Sequence, residues 1–487
     1  MELIYGLLEL VGLYVAAVAF GEFISWIPRY LQQDKEGFKY EIPTFLGQLL
    51  GGIIMANLPG GLVGDIPVDV SQFLREICLS IILIRAGLGL DLKILGTVGG
   101  TTLSLACIPC ILEAIVAAVL CKLFKPSTPW GFCFALGFVQ SAVSPAVVVP
   151  NVVSLNDSGY GVAKGIPTMI LAACSIDVLL SVAGIGVSVD LAFSELEGGG
   201  NESQLTNSMI VLFSTVIGGT VAGYILGVLQ AQVTLWACTD TDTDTDTGAM
   251  CLHQWLKTST TRTVVLLLAS LVIVTVATML ELEAGAYLCT MTMALMAAQG
   301  WNELATLPPG ELDNTGADGH AVDLSTKPVS ALCKELWVYC QPILLSLIGI
   351  QVIISDVESS DVAVSFGILI IAVLFRLAVT YGSVSTTGGH LNSSERLFVA
   401  ISWFPKATAQ AAFGSVVLDT ASKMTDDANE ARGEEIGKLI LTTAVISILF
   451  TAPIGAIAIP MMGPRLLTRA ESGALPIPIP IEPEPEL

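Results

Sequence analysis

The sequence predicts an all-α polytopic membrane protein, and its composition is the first of three observations that do so. Of the 487 residues, 53% are hydrophobic and 13% are charged, and the mean hydropathy is +0.76. A soluble domain carries about 25% charged residues. The second observation is a series of apolar runs long enough to cross a bilayer, and the third is a set of ionisable residues inside those runs.

The apolar runs give the predicted topology. Roughly thirteen of them have the length and hydropathy expected of membrane-spanning helices. We predict spans near residues 3–26, 44–57, 72–91, 98–121, 130–155, 164–192, 206–231, 263–280, 284–300, 335–355, 362–384, 396–417 and 436–462. Lys and Arg are more frequent in the loops that follow odd-numbered spans, which predicts an N-terminus outside and a C-terminus in the cytosol.

Charge and motif content disfavour two other classes of function. The net charge of −22 argues against nucleic acid or anionic lipid as a partner. The sequence has no HExxH or GxSxG motif and no paired-aspartate protease motif, so an intramembrane enzyme is a weak alternative. A transporter is the better interpretation of the composition.

Five of the ionisable residues inside the predicted spans are candidates for a function. Asp177 is in the middle of the sixth span and Glu113 is in the fourth, while Arg85, Arg376 and Lys406 are the basic residues. A charged residue at the centre of a bilayer helix costs about 2.5–3.5 kcal/mol on insertion scales, so such residues mark a function by default. Acids and bases in these numbers suit either an ion pathway or a buried network of ion pairs.

The two halves of the chain correspond in sequence. The segment SIILIRAGLGLDL at 80–92 matches PILLSLIGIQVII at 342–354, with Gly87 falling on Gly349. The matching segments belong to the third and tenth spans, an odd number of crossings apart, so corresponding helices run in opposite directions. The sequence therefore predicts an inverted repeat, with the seventh span as the linker.

Two prolines occupy nearly corresponding positions in this repeat. Pro145 in AVSPAVVVP and Pro405 in WFPKATAQAA each interrupt an apolar span. Proline removes a backbone donor and breaks a helix, and non-helical backbone at membrane depth occurs where it lines protein or a water-filled cavity. We predict two broken helices that cross near the midplane, with Lys406 compensating the exposed carbonyl ends. In the alternative, both prolines merely kink ordinary helices.

Glu113 and Arg376 also correspond closely in the repeat, which places an acid and a base near the same depth. A structural ion pair between them is the simpler interpretation, and a role in transport is the alternative. Removing one partner of a buried pair costs about 3–5 kcal/mol. A mutant phenotype at either residue would therefore not by itself demonstrate a transport role.

Six segments, taken together and in order, resemble the NHA branch of the monovalent cation:proton antiporter superfamily, the sodium/hydrogen exchanger 9B group. They are RAGLGLD at 85–91, AVSPAVVVP at 142–150, GYGVAKGIPT at 159–168, WFPKATAQAAFGSVVLDTA at 403–421, TAPIGA at 451–456 and GPRLL at 463–467. The resemblance implies an NhaA-like inverted-repeat antiporter fold and a homodimer in a plasma or organellar membrane, endosomal and mitochondrial membranes included. It implies transported ions, Na⁺ or Li⁺ and H⁺, and no cofactor.

The resemblance also implies a mobile core that moves against a dimerisation scaffold. The expected division is 1–97 scaffold helices one to three, 98–192 first half of the core, 193–361 linker helix seven and scaffold helices eight to ten, 362–468 second half of the core, and 469–487 a disordered cytosolic Pro/Glu tail.

In the relatives, the sixth helix carries an Asp-Asp pair that binds sodium, lithium or protons in competition. Asp177 matches the first acid of that pair, and Val178 stands where the second acid belongs. A valine side chain neither coordinates a cation nor carries a proton. We expect Asp177 to bind the ion with help from Ser175, Ser144, Thr408 and backbone carbonyls.

The function implied by the resemblance is sodium or lithium exchange for protons by alternating access, with both ions competing for the Asp177 carboxylate. A single acid that exchanges one sodium for one proton would be electroneutral. The absence of the second acid leaves two alternatives open. One is a proton-coupled anion carrier that uses Lys406 and Arg376, and the other is a regulatory homologue that does not transport.

Overall fold

The computed structural model describes residues 2–31, 42–59, 63, 66–90, 99–197, 202–239, 255–279, 283–307, 322–387, 389, 391–424 and 426–469, so the expected tail lies outside the described part apart from Arg469. The helices of this part are α1 Glu2–Leu31, α2 Thr44–Asn57, α3 Val68–Leu88, α4 Gly100–Phe124, α5 Trp130–Ser141, α6 Pro145–Asp157, α7 Ile166–Glu197, α8 Glu202–Thr239, α9 Ser259–Met279, α10 Glu283–Ala305, α11 Lys327–Ile350, α12 Ser359–Thr387, α13 Ser393–Ser402, α14 Thr408–Phe413, α15 Val416–Ala421 and α16 Asp427–Leu466. Among the described residues, nine segments are long and apolar enough to cross a membrane. The predicted all-α polytopic class is confirmed.

The chain divides into two compact units. Unit 1 comprises Met1–Arg75, Thr97–Asn201 and Gln341–Leu487, and unit 2 comprises Glu76–Gly96 and Glu202–Cys340. Both predicted core segments, 98–192 and 362–468, fall in unit 1, whereas the predicted scaffold segment 1–97 is divided between the units.

Within unit 2, α8 packs closely against α10. Gly219, Gly223 and Gly227 recur every four residues along one face of α8, and a Cβ at any of them would lie within 2.4 Å of a carbonyl oxygen of α10. Small residues at this spacing let two membrane helices approach until their backbones touch. The glycine stripe therefore determines how these two helices pack.

Within unit 1, α4 and α12 form an antiparallel pair. Thr101 Oγ1, at the start of α4, donates to the carbonyl of Thr387 at 2.8 Å, and Lys125 Nζ, just past the end of α4, lies 2.6 Å from Asp361 at the start of α12. The hydrogen bond to Asp361 raises the pKa of Lys125, which lies outside the apolar segment. The antiparallel arrangement is the one that the inverted repeat predicts.

Two apolar segments of unit 1 are interrupted at the predicted prolines. Residues 142–144 separate α5 from α6, which begins at Pro145, and residues 403–407, which include Pro405, separate α13 from α14. The two interruptions contact each other, because the amide of Ser144 donates to the carbonyl of Pro405 at 2.9 Å. Backbone groups released by one break are thus satisfied by the other, which allows non-helical backbone inside an apolar unit.

Candidate ion-binding site

Asp177 lies near the middle of α7 and is fully buried. Its Oδ1 is 2.7 Å from Nη2 of Arg376, and its Oδ2 accepts a hydrogen bond from the amide of Val143 at 2.9 Å. Val143 belongs to the first helix interruption, so its amide is available to a side chain. Both carboxylate oxygens of Asp177 therefore have a donor in this conformation.

Arg376 projects from α12 and joins the two buried acids. Its Nη1 is 2.5 Å from Oε2 of Glu113, and the same nitrogen donates to the carbonyl of Ser141, the last residue of α5. A helix leaves its final carbonyls without intrahelical partners, and a cation is favoured there by the helix dipole. Arg376 thus compensates one carbonyl end at the first break as well as both acids.

Lys406 lies in the second interruption and is also fully buried. Its Nζ is 2.9 Å from each carboxylate oxygen of Glu113, and its backbone amide donates to Thr451 Oγ1 of α16 at 2.9 Å. The expected partner of Lys406 was a helix carbonyl end, and the structure gives it Glu113 instead. The four side chains form one chain of contacts, Lys406–Glu113–Arg376–Asp177.

This cluster is balanced in charge and closed to solvent. All four side chains have no solvent-exposed surface, and two acids face two bases. Charges at such depth persist when they are paired and hydrogen-bonded, because an isolated charge in an apolar interior is far more costly. The cluster is therefore a single electrostatic unit in which any change at one member affects the others.

The hydroxyl residues predicted as ligands take different positions. Ser144 Oγ and Thr408 Oγ1 lie 3.4 Å apart, each at the start of the half-helix that follows a break, and Ser144 adjoins Val143. Ser175 Oγ instead bonds the Leu171 carbonyl of its own helix at 3.3 Å. Since positions two apart on a helix do not face each other, Ser175 points away from Asp177.

Other polar side chains near Asp177 were missed by the sequence analysis. Cys110 Sγ lies 3.2 Å from Ser181 Oγ and 3.5 Å from Ser141 Oγ, and Ser141 and Ser181 lie 3.4 Å apart. Ser181 follows Asp177 by four residues in a helix, so it shares the face of Asp177. That spacing is a signal from which Ser181 could have been found.

Gln410 and Val178 complete the surroundings. Gln410, in α14, donates from Nε2 to the carbonyls of Val139 at 2.8 Å and Ala142 at 3.0 Å, both at the end of α5 or in the first break. Val178 is buried beside Asp177 and provides no oxygen there. Gln410 lies in the same WFPKATAQAA segment as Pro405, which was a signal for its proximity.

Fold and site together define a class of protein. Inverted-repeat membrane proteins in which discontinuous helices meet at a buried ionisable cluster are secondary transporters. The solved structure of the sodium proton antiporter MjNhaP1 from Methanocaldococcus jannaschii has this fold: it is similar with a TM-score of 0.66, covering 96% of this chain and 99% of that chain at 18% identity.

Sequence comparisons assign the chain within this class. The family described as "Sodium/hydrogen exchanger, transmembrane" matches residues 36–463. Sodium/hydrogen exchanger 9B2 of Homo sapiens is 35% identical over 433 residues, 88% of this chain and 71% of that protein. Sodium/hydrogen exchanger 9B1 of Homo sapiens is 32% identical over 431 residues, 88% of this chain and 73% of that protein. The chain belongs to the sodium/hydrogen exchanger family, a family of cation/proton antiporters and not of enzymes, and the resemblance to the 9B group is confirmed.

Proposed function

We propose that the protein exchanges Na⁺ or Li⁺ for H⁺ by alternating access, and that the two ions compete for the carboxylate of Asp177. The observation that carries the proposal is the position of Asp177, a fully buried acid bonded to the first of two helix interruptions that contact each other. A cation needs its water shell replaced by oxygen ligands at membrane depth, and interrupted helices supply backbone carbonyls there.

Arg376 gives this exchange a physical mechanism. In the described conformation Nη2 of Arg376 donates to Oδ1 of Asp177, so the guanidinium lies where a metal cation would bind. An entering cation or proton binds Asp177 and displaces Nη2 of Arg376 from it. Nη1 of Arg376 keeps its contacts with Glu113 and the Ser141 carbonyl. Arg376 therefore stabilises the ionised carboxylate of Asp177 between two transport steps, and it stays in the cluster when an ion binds.

The proposed cation ligands are the Asp177 carboxylate and the hydroxyls of Ser144 and Thr408. These hydroxyls adjoin the crossing of the two breaks, whereas the orientation of Ser175 gives it no part in the cage. One carboxylate carries one charge, so one Na⁺ replaces one H⁺ and the exchange is electroneutral. We further propose that the protein works as a homodimer in a plasma or organellar membrane, with its N-terminus outside.

Val178 supports a second candidate function. With a valine beside Asp177 and both Asp177 oxygens already paired, the cluster has no surplus negative charge to attract a cation. A proton-coupled anion carrier would use the positive charges of Arg376 and Lys406. A homologue that regulates without transporting would use none of them.

Purified protein in liposomes tests the proposal through Na⁺ uptake as a function of pH. If Na⁺ and H⁺ compete at one carboxylate, lowering the pH protonates Asp177 and raises the apparent KM for Na⁺, with the maximal rate unchanged. We expect Asp177→Asn to abolish the uptake. The control is Glu195→Gln, near the end of the same helix, which should retain it. Proton flux that depends on chloride and ignores Na⁺ and Li⁺ would favour the anion carrier, and uptake that persists in Asp177→Asn would overturn the proposal.

A further inference from the structure

We infer that Gln410 is a ligand of the transported cation, and that its amide oxygen takes the place of the second acid that Val178 lacks. The inference rests on the proposed function and deepens it. It adds a residue from the second broken helix to a site that otherwise depends on one carboxylate.

The orientation of the Gln410 amide is fixed by its contacts. The side chain is fully buried, and its Nε2 lies 2.8 Å from the carbonyl of Val139 and 3.0 Å from that of Ala142. Carbonyl oxygens accept and do not donate, so the NH₂ end of the amide must face them. The Oε1 end is consequently turned away from α5.

The Oε1 atom of Gln410 has no hydrogen-bond partner in the part of the chain that the structure describes. Most buried polar atoms have a partner, and an orphan requires an explanation such as a bound ion, an ordered water or a catalytic role. Gln410 Nε2 donates to the carbonyl of Ala142 in the first break, and the next residue, Val143, donates its amide to Asp177. The orphan acceptor therefore belongs to the region where the proposed cation ligands converge.

The chemistry of an amide oxygen suits this role. Amide carbonyls are hard, neutral oxygen ligands of the kind that hard metal cations take. Unlike a carboxylate, an amide does not bind a proton near neutral pH, so Gln410 favours the metal over the proton without adding a second titrating charge. The site gains cation affinity and keeps the one-for-one stoichiometry proposed above.

Gln140 provides a matched comparison. It is equally buried, lies in α5, and has both ends of its amide paired with Ser447 Oγ of α16, Nε2 at 2.6 Å and Oε1 at 2.9 Å. Its hydrogen bonds are satisfied within the fold, so its role is to hold α5 against α16. The two glutamines thus differ in whether the amide oxygen has a partner.

The test compares Gln410→Met with Gln140→Met in liposomes, because methionine keeps the length of the side chain and removes the amide. Loss of a ligand to a charged ion weakens binding by about tenfold or more. We expect Gln410→Met to raise the apparent KM for Na⁺ by about that factor and to change the ratio of Li⁺ to Na⁺ affinity. Gln140→Met should lower the melting temperature with the native KM. Gln410→Asn, which shortens the side chain and keeps the amide, serves as a second variant.

The purified proteins also give a readout that does not need transport, namely the rise in melting temperature on adding Na⁺ or Li⁺. We expect this rise in the native protein, a loss in Asp177→Asn and a reduction in both Gln410 variants. If native protein exchanges Na⁺ through Asp177 but the Gln410 variants keep the native KM and ion preference, the Gln410 assignment is wrong and the proposed function stands. If native protein neither exchanges nor is stabilised by these cations, both proposals fail.

Discussion

The four charged residues of the cluster, Lys406, Glu113, Arg376 and Asp177, depend on one another for their charge balance. Glu113 serves two bases, and Arg376 serves two acids and a helix carbonyl. No member can ionise, bind or move without changing the balance of the others. The proposed exchange at Asp177 is therefore also a rearrangement of Arg376.

Val178→Asp tests whether the site is limited by its missing acid. The new carboxylate would lie beside Asp177 in a buried position, where it adds a second charge and a second proton to each cycle. We expect higher affinity for Na⁺ and an exchange that responds to membrane potential, measured in liposomes with an imposed potential. Val178→Asn is the control, because asparagine has the size of aspartate but no charge. An exchange that stays insensitive to potential in Val178→Asp would contradict this expectation.

Substitutions at Glu113 and Lys406 test whether the balance of charge in the cluster stabilises the fold. Glu113→Gln leaves two bases facing one acid, and breaking a buried pair in this way costs about 3–5 kcal/mol. Adding Lys406→Met removes the surplus base, so the double variant should be more stable than the sum of the single effects. The measurement is the melting temperature of the four purified proteins in detergent. Additive losses would show that the cluster is not one unit.

The sequence predicted the four charged residues that the structure brings together in the candidate site, but not all the neutral ones near them. Glu113, Asp177, Arg376 and Lys406 are conspicuous because charge in an apolar span is costly. A Ser or Gln in such a span is inexpensive, and its direction depends on packing. For that reason Ser175 was expected near Asp177 and points away, while Gln410 was missed.

At the scale of elements, the two helix interruptions depend on close backbone packing around them. A Cβ at Gly137 of α5 would lie 2.3 Å from the carbonyl of Ala114, next to Glu113, so α4 and α5 can approach here because position 137 has no side chain. A Cβ at Gly455 of α16 would lie 2.4 Å from Cγ of Pro405. The second break is therefore held against α16 at a glycine.

Gly455→Ala should displace the second interruption. The proline ring cannot rotate away, so Pro405 must shift and carry Lys406 from its position against Glu113. We expect a lower melting temperature and slower Na⁺ exchange. Gly382→Ala on α12 is the control, because a Cβ there meets nothing within 4 Å and alanine favours a helix by up to about 1 kcal/mol. Equal effects of the two substitutions would contradict this role for Gly455.

The interrupted helices themselves could be predicted, because a proline within an apolar span indicates where a helix is interrupted. The direct bond between the breaks, from Ser144 to Pro405, could not, because it depends on how the repeats pack. The same holds for α8 and α10, whose packing follows from a glycine stripe that the hydropathy pattern does not weigh.

At the scale of the whole molecule, composition and internal repetition predicted the class and the inverted architecture. The division into core and scaffold stays a prediction, and the two compact units divide the segment 1–97 between Arg75 and Glu76. This boundary lies inside α3, where the polar first half of the helix, which includes Arg75 and Glu76, is followed by the mostly apolar residues 77–84. The orientation, the homodimer and the motion of the core remain predictions.

In the proposed exchange, one buried carboxylate carries either a proton or an alkali cation across the membrane. The most direct test is dissipation of a pH gradient on adding Na⁺, Li⁺ or K⁺ to liposomes that contain purified protein, with Asp177→Asn beside the native chain. We expect that Na⁺ or Li⁺ dissipates the gradient with native protein, that an imposed membrane potential does not change the rate, and that Asp177→Asn is inactive. If native protein leaves the gradient intact with all three cations, or if Asp177→Asn still dissipates it, Asp177 does not carry the exchanged ions.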